Sequence, residues 1–496
     1  MNPGKVPGRN RPRPGRPAQA QGAASQKLSA ADGIALALGC FLGLCLIKFG
    51  NPVVLNSKID APRSLGEFWL FAWPPSWAVW IMLMIGALGA LFLGLRRLPP
   101  WPGSKWLWIL PLAWFGWQMV TTVTTVDHRL SLLVLGQFAG CAIAYFLGAR
   151  LVAEDRQLMF LLAGLTAALG FSLVRAVDQR LVEFPQERQF LIESHEMNWT
   201  NVPPRLLAEM QDHGVVIHTN GMLIPNPAIL SKYERARVHG TLIYPNALAG
   251  AILLLFPAGL ALVLETTRRF RIATRLAAAG LMLFLGVASL VWTGSKSGWL
   301  IAVAVGGLWI FRLKWSRRWK WAVAALVILA GAVLFLVRFQ SYLAAGAQSL
   351  GARFDYWQAA VQIAAAHPVT GTGPGTFQRP YEEIKAPESE MTRLVHNDYL
   401  EQFSDSGLVG GVSYVVWIAL LLLTLAKRVW GTQRALRFAV FTGLVAWFLQ
   451  GLSEFSLYVP ALAWSAFMLA GALLGVSGAR DREHPTFNAQ HSTPNA

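Results

Sequence analysis

Charged residues are scarce in this chain. Asp, Glu, Lys and Arg make up only 14% of its 496 residues, while 54% are hydrophobic. About a quarter of the residues of a soluble protein are charged. The apolar residues also come in blocks of about 20, the length that crosses a bilayer as a helix. Because alternating strand patterns are missing, the sequence predicts an all-α polytopic membrane protein.

Cysteine is scarce as well, which argues against a disulfide-stabilised protein and against a cysteine metal site. The chain has three cysteines, Cys40, Cys45 and Cys141, and all of them fall inside apolar blocks. That placement indicates small buried hydrophobic residues and not a disulfide framework. A motif with metal-ligand spacing, such as HExxH, is also missing. We therefore expect neither a metal nor a cofactor.

The long apolar runs predict about twelve transmembrane helices joined by two large loops. A repeat of fixed period is not found among them. The predicted spans lie near residues 31–49, 76–95, 105–124, 131–153, 157–175, 246–266, 276–293, 298–313, 321–339, 407–426, 436–453 and 457–476.

Basic residues outnumber acidic ones, and the net charge is +17. We do not interpret this as nucleic-acid binding, because the basic residues form short clusters between spans, where they orient helices. In a twelve-span arrangement every cluster falls on one side, which the positive-inside rule makes cytoplasmic. The clusters are the N-terminus, Arg96 with Arg97 and Lys105, Arg150 with Arg156, residues 268–275, 312–320 and 427–437, and Arg480 with Arg482.

This topology divides the chain into seven segments and places both termini in the cytoplasm. Two long hydrophilic loops then lie outside the cytoplasmic membrane, where neither ATP nor nucleotide sugars are available. A transferase on that face needs a pre-activated donor, such as a lipid-linked one. The predicted segments are a disordered basic N-terminus (1–30), N-terminal spans (31–175), a first periplasmic loop (176–245), central spans (246–339), a second periplasmic loop (340–406), C-terminal spans (407–476) and a cytoplasmic tail (477–496).

Three cationic side chains stand at the predicted periplasmic ends of spans. Arg237 precedes Asn246, which begins a span, and a guanidinium there can grip phosphate oxygens. Lys296 lies in a tight turn between two spans, where a cation usually has a partner or a function. Arg353 opens the second long loop beside Tyr356 and Trp357. Interfacial arginines and an aromatic belt explain the same placements without a ligand.

His396, followed by Asn397, is the candidate reactive centre. A neutral imidazole can take a proton from a sugar hydroxyl as that hydroxyl attacks. Either Asp398 or Asp405 is a candidate carboxylate to fix the tautomer of the ring. A surface-loop histidine without a role is the alternative interpretation.

Taken together, these residues and their order resemble the O-antigen ligase and polymerase superfamily, bacterial membrane enzymes that handle lipid-linked polysaccharide. The resemblance runs from about Arg237 to Gly410 and extends to the topology. Its elements are Arg237-x-x-Gly240 with Pro245-Asn246, Ser295-Lys296, Arg353-x-x-x-Trp357, His367-Pro-x-x-Gly371-x-Gly373, and His396-Asn397-x-Tyr399-Leu400 followed by Gly407 and Gly410.

The resemblance implies a membrane architecture similar to that of C-type glycosyltransferases and a reaction that needs no metal. The donor would be a glycan linked to undecaprenyl diphosphate. Arg237, Lys296 and Arg353 would bind the diphosphate, and His396 would activate the acceptor hydroxyl, with inversion at the anomeric carbon. Asn397, Tyr399, Asp405 and Asn246 would shape the site and its acceptor side.

Two positions depart from the pattern of the superfamily. Its members usually have Arg after the serine of the turn, where this chain has Lys296, so the phosphate contact should be less directional. They often have Glu before the glycines that follow the His-Asn motif, where this chain has Asp405. The shorter carboxylate leaves the role of this position open.

Several functions share this scaffold. Ligation of the glycan to lipid A-core is the leading hypothesis, in the inner membrane with a periplasmic active site. Polymerisation of repeat units and O-glycosylation of a protein are alternatives. From another class, a non-catalytic polysaccharide transporter or flippase also fits the number of spans, but its polar groups would lie near the bilayer midplane.

Overall fold

The computed structural model describes residues 28–95, 101–219, 221–344 and 348–478. The N-terminal part is a set of helices that begins where Ser29 caps the first one by accepting from the backbone N–H of Asp32. A short 3-10 turn, Val53–Lys58, follows the first helix. The helices are α1 (Ala30–Lys48), α2 (Leu65–Leu70), α3 (Pro75–Gly94), α4 (Trp106–Val123), α5 (His128–Leu151) and α6 (Asp155–Asp178).

A small unit with its own core follows α6. It continues from α6 through a π-helical turn, Gln179–Glu183. Its two strands pair antiparallel, with Val216 opposite Pro225. Trp199, Val202 and Met210 form its own small core. Its elements are α7 (Phe184–Glu196), α8 (Pro204–Asp212), β1 (Val216–Thr219), β2 (Met222–Pro225) and α9 (Pro227–Arg235).

The second half of the chain returns to long helices. Two helices that are not predicted spans, α14 and α15, lie between them, and a 3-10 turn, Ser456–Tyr458, precedes the last helix. The helices are α10 (Pro245–Thr266), α11 (Ile272–Thr293), α12 (Lys296–Arg312), α13 (Arg317–Ala344), α14 (Gln348–Ala366), α15 (Gln378–Ile384), α16 (Asp398–Val429), α17 (Ala435–Gln450) and α18 (Pro460–Gly478).

The predicted fold class is confirmed: over its described residues the chain is an all-α polytopic membrane protein with a single two-stranded hairpin. Each of the twelve predicted spans coincides with one of these helices. Within the described ranges, nine helices are long and apolar enough to cross a membrane. The other three, α4, α12 and α17, have 18, 17 and 16 residues. The full count of twelve spans stays a prediction.

Helix α18 lies at the centre of the bundle, and all of its residues are buried. Glycines let its neighbours come close, which is how helices associate in lipid. A Cβ at Gly471 would stand 2.0 Å from the carbonyl oxygen of Tyr145, and one at Gly148 would stand 2.3 Å from that of Met468. The same device joins α10 to α17, where a Cβ at Gly443 would meet the carbonyl oxygen of Leu254 at 2.1 Å.

The bundle has two chemically different ends. At one end, Asp155 forms ion pairs with Arg434 (3.0 Å) and Arg437 (2.6 Å), and Arg312 donates to the carbonyl of Thr432. We call this the basic end. Predicted clusters at residues 1–27, Arg96, Arg97, Arg480 and Arg482 lie outside the described residues, as does most of the predicted disordered segment 1–30.

The other end, which we call the loop end, carries residues 184–235 and 348–397. Helix α5 begins at this end and runs toward the basic end. Its start is located by Val126, just before it, whose backbone N–H donates to the carbonyl of Thr372 at 3.0 Å. The His-Asn motif lies at the loop end, as do the three predicted cations, Arg237, Lys296 and Arg353.

Most of the second predicted loop, 340–406, is helical, and its assignment as a loop between two spans stays a prediction. Helix α13 continues to Ala344, and α14 covers Gln348–Ala366. Helix α16 begins at Asp398, because the side chain of Asn397 caps it, and breaks at Gly407. The polar residues before Gly407 remain helical because they find buried partners inside the protein.

Candidate active site

One buried carboxylate joins the predicted site residues. Glu454, in the turn between α17 and α18, has no exposed side-chain area. Its Oε1 accepts from Nη2 of Arg353 and from Nδ2 of Asn246, both at 2.6 Å. Its Oε2 lies 3.8 Å from Nδ1 of His396. Three predicted residues from three distant parts of the chain therefore meet at one side chain.

Arg237 is tied to the same group through Asn246. Its Nη2 donates to Oδ1 of Asn246 at 3.0 Å, and its Nε donates to the carbonyl of Thr293 at 2.7 Å. That carbonyl is available because α11 ends at Gly294 in a left-handed conformation (φ +60°). Burial lowers the pKa of Arg237, and the charge of Glu454 opposes this shift.

Lys296 brings a further positive charge to the cluster. It follows Ser295, which caps α12 by accepting from the backbone N–H of Gly298 at 3.3 Å. The Nζ of Lys296 lies 5.5 Å from the ring centre of Phe339, which sits at a kink in α13. Burial, reinforced by the charges of Arg237 and Arg353, lowers the pKa of Lys296 to about 8. Mutual repulsion of this kind marks a place where a bound anion would be stabilised.

His396 is held in an unusual conformation. Its φ is +56°, in the left-handed region that few non-glycine residues adopt. The ring packs edge-on against Phe455, with centres 4.6 Å apart, and lies 6.0 Å from the nearly parallel ring of Tyr356. About a quarter of the side chain is exposed (26%), so a substrate can reach it.

The two carboxylates that the sequence predicts as partners of His396 have other partners, and this prediction was wrong. Asp398 accepts from the backbone N–H of Leu457. Asp405 accepts from the backbone N–H of Gly375 at 2.6 Å and from the hydroxyl of Tyr458 at 2.8 Å. Both side chains are buried because α16 turns this face toward the protein interior.

The acceptor-side residues also have defined positions. Oδ1 of Asn397 accepts from the backbone N–H groups of Tyr399 and Leu400, both at 3.1 Å. The hydroxyl of Tyr399 donates to the carbonyl of Phe448 at 2.9 Å. These contacts orient the segment that carries His396. A direct role of Asn397, Tyr399 or Asp405 toward the acceptor stays a prediction.

The glycine loop 371–375 packs against the first part of α16, the helix that follows the His-Asn motif. The backbone N–H of Thr372 donates to the carbonyl of Ser404 at 3.1 Å, and that of Gly373 donates to the carbonyl of Asp405 at 2.8 Å. No side chain fits there, since a Cβ at Gly371 would stand 2.3 Å from the carbonyl carbon of Asp405. His367, at the end of α14, is exposed.

Sequence reasoning missed Glu454, although a signal for it exists. It is the only charged residue between Arg437 and Arg480. An ionisable residue in such an apolar stretch is by default a candidate for function. Arg235 and Arg338 were also missed, and their charges contribute to the low pKa of Lys296.

An apolar groove lies between α10, α11, α12 and α17. Its volume is about 580 Å³. At one end it is lined by Ile252, Leu290 and Ala302. Leu290 is three residues from Thr293, or about 4.5 Å along a helix axis, so the groove begins close to the cation cluster. At the other end it is lined by Arg268 and Arg275. In the described part of the chain, no group of three His, Cys, Asp or Glu side chains is placed to hold a metal ion.

One family model matches part of the chain. No curated protein matches the chain. Residues 281–415 match the family model described as O-antigen ligase. The matched region contains Lys296, Arg353 and His396, whereas Arg237 and Glu454 lie outside it. The predicted resemblance to the O-antigen ligase superfamily is thereby confirmed over these residues.

Proposed function

We propose that the protein is a metal-independent, inverting glycosyltransferase that moves a glycan from undecaprenyl diphosphate to lipid A-core. The observation that carries this proposal is the convergence of Arg237, Lys296 and Arg353 beside an accessible imidazole, His396. Positioned cations stabilise the negative charge that develops on a diphosphate leaving group. A nearby imidazole is the usual general base for a hydroxyl.

The proposed reaction assigns a role to each of these groups. The acceptor hydroxyl loses its proton to Nε2 of His396 while its oxygen attacks the anomeric carbon. The bond between that carbon and the diphosphate oxygen breaks, and undecaprenyl diphosphate leaves with the electron pair. Because the nucleophile and the leaving group occupy opposite faces of the sugar, the configuration inverts.

The apolar groove supports a lipid-linked donor. A diphosphate bound by the cations would place its isoprenoid chain at the level of Leu290 and Ala302, where the groove begins. A soluble sugar nucleotide would have no use for such a groove. The arrangement therefore favours a donor that stays in the membrane during transfer.

We further propose twelve spans in the bacterial inner membrane, with both termini cytoplasmic and the site periplasmic. The basic end supports this orientation, because lysines and arginines accumulate on the cytoplasmic side. Glu388 is exposed at the loop end, and Lys314 is exposed near the basic end. In spheroplasts, a membrane-impermeant maleimide should label the Glu388→Cys variant and spare Lys314→Cys. The reverse labelling would overturn the orientation.

The function is tested with purified protein in nanodiscs that contain an undecaprenyl-diphosphate glycan. Lipid A-core, a second lipid-linked glycan and an acceptor protein are offered separately, with and without a chelator. We expect transfer to lipid A-core that survives chelation. The His396→Ala variant should lose roughly 10²–10⁴-fold in rate, whereas His367→Ala, a histidine exposed at the end of α14, should retain it.

The other acceptors and the transporter are decided by the same experiment. Transfer to the lipid-linked glycan or to the protein would replace ligation by polymerisation or protein glycosylation. Movement of the intact lipid across the bilayer without transfer would support a transporter. The position of the polar residues argues against that outcome, since they gather at the loop end and not at the midplane.

A further inference from the structure

The carboxylate of Glu454 has one oxygen engaged and one that faces His396. Oε1 accepts both hydrogen bonds, from Arg353 and from Asn246. Oε2 is buried, as is Nδ1 of His396, and within the described residues neither atom has a hydrogen-bond partner. Buried polar atoms without partners are rare in proteins and call for an explanation. The two atoms lie 3.8 Å apart, so each is the obvious partner of the other.

The surrounding structure keeps the two side chains opposite each other. The backbone N–H of Asp398 donates to the carbonyls of Gly451 (2.7 Å) and Glu454 (3.2 Å), which docks the turn after α17 onto the start of α16. Phe455, the residue after Glu454, packs edge-on against the imidazole. A small rotation of either side chain is enough to close 3.8 Å to hydrogen-bond length. Catalytic hydrogen bonds are often long without substrate and tighten when it binds.

We infer that Glu454 is a positioning residue that accepts a hydrogen bond from Nδ1–H of His396 and thereby leaves Nε2 as the basic nitrogen. A neutral imidazole carries one proton, and the partner of one nitrogen decides where that proton resides. A carboxylate can only accept, so it selects the tautomer with the proton on Nδ1. It also stabilises the imidazolium that forms when Nε2 takes the acceptor's proton. The inference rests on the proposed function, because it assigns a role within that reaction.

The Glu454→Gln variant tests the hydrogen bond to His396 without changing the size of the side chain. The amide oxygen must take the place of Oε1, because Arg353 and Asn246 both present donors there. The amide NH₂ then faces Nδ1 of His396 as a donor. The ring is forced into the opposite tautomer, with the proton on Nε2, where it cannot act as a base. Size and the two hydrogen bonds to Arg353 and Asn246 are preserved.

The first readout needs no substrate. In ¹⁵N-histidine-labelled protein in nanodiscs, NMR distinguishes the two tautomers, and a His396→Gln spectrum identifies the signal of His396. We expect the Nδ1–H tautomer in the wild type and the Nε2–H tautomer in Glu454→Gln. An Nε2–H tautomer in the folded wild type would overturn the inference, even if the variant fails to fold.

The second readout is glycan transfer from undecaprenyl diphosphate. We expect Glu454→Gln to lower kcat by roughly 10²–10³-fold while the donor KM stays within about threefold. Glu401→Gln is the matched control, since Glu401 is a fully buried carboxylate that accepts from the backbone N–H of Val395. It should keep kcat and the tautomer. Equal losses in both variants would indicate general packing and overturn the inference.

The two readouts separate this inference from the proposed function. If the wild type transfers no glycan to any acceptor, the proposed function fails, whereas the NMR result still decides the contact between Glu454 and His396. If the wild type transfers glycan and Glu454→Gln does so at the same rate, only the positioning role is overturned.

Discussion

Asn246 and Glu454 are 208 positions apart in the chain, yet Nδ2 of Asn246 donates to Oε1 of Glu454 at 2.6 Å. The same amide accepts from Arg237 through Oδ1. Asn246 therefore connects Arg237 to Glu454, the carboxylate at the centre of the site. A side chain with both a donor and an acceptor is needed for this position.

We expect Asn246→Ala to lower kcat/KM for the donor by roughly tenfold or more, since a hydrogen bond to a charged group contributes about 1.5–3 kcal/mol. Arg237 would lose the acceptor that orients its Nη2. Asn201→Ala is the control, because Asn201 donates to Ser194 in the small unit between α6 and α10. Steady-state transfer kinetics would measure both. Unchanged donor use in Asn246→Ala would show that Arg237 needs no such orientation.

Lys296 should make donor binding depend on pH. With a pKa of about 8, the side chain is mostly charged at about pH 7 and mostly neutral at about pH 9. Loss of this charge weakens attraction for a diphosphate, so the donor KM should rise as the pH increases over that interval. An arginine stays charged throughout.

The Lys296→Arg variant should therefore bind the donor at about pH 7 as well as the wild type does and lose most of the rise in KM. Donor KM measured across the interval, with a fixed acceptor, gives both curves. Superimposable curves for the two proteins would mean that Lys296 does not contact the diphosphate.

Most of the fold could be predicted from the sequence, for a physical reason. Lipid requires every backbone polar group to bond within its own helix, so length and hydropathy reveal the helices. The start of α16 at Asp398 could not be predicted in this way. Its polar first turns resemble a loop, and only partners distant in the chain, such as Leu457 for Asp398, allow them to be buried.

The cations and the imidazole of the candidate site were proposed from the sequence, but Glu454, the carboxylate at its centre, was not. Each of Arg237, Lys296, Arg353 and His396 belongs to a short pattern with local meaning. Glu454 has no such pattern around it, and it is recognised by what surrounds it in space. The choice of Asp398 or Asp405 as the partner of His396 relied on proximity in sequence, which α16 does not preserve in three dimensions.

Gly407 should not tolerate a side chain. Its φ of +64° lies in the left-handed region, and a Cβ there would stand 2.2 Å from the carbonyl oxygen of Val369. The break that it makes in α16 lets the backbone N–H of Leu408 donate to the carbonyl of Pro368 at 2.8 Å. We expect Gly407→Ala to destabilise the protein by at least about 1–3 kcal/mol.

Thermal unfolding in detergent measures this loss. Gly280→Ala is the matched control, since Gly280 lies in α11 with open space around it. Alanine there should be neutral or slightly stabilising, because it favours a helix. A Gly407→Ala protein that unfolds at the same temperature as the wild type would contradict the close approach of Val369 to Gly407.

Asp405 should prove structural and not catalytic. Its carboxylate accepts from Gly375 and Tyr458 at hydrogen-bond distances, and its replacement by Ala would leave two buried donors without an acceptor. An unsatisfied buried donor costs about 1–3 kcal/mol. We expect Asp405→Ala to lower the unfolding temperature and to reduce the amount of folded protein. The folded fraction should keep its pH dependence of transfer, because Oε2 of Glu454, and not Asp405, faces His396. Asp355→Ala is the control, since Asp355 is an exposed carboxylate that accepts from the hydroxyl of Ser389. An Asp405→Ala protein with normal stability but no transfer would instead place this carboxylate among the reacting groups.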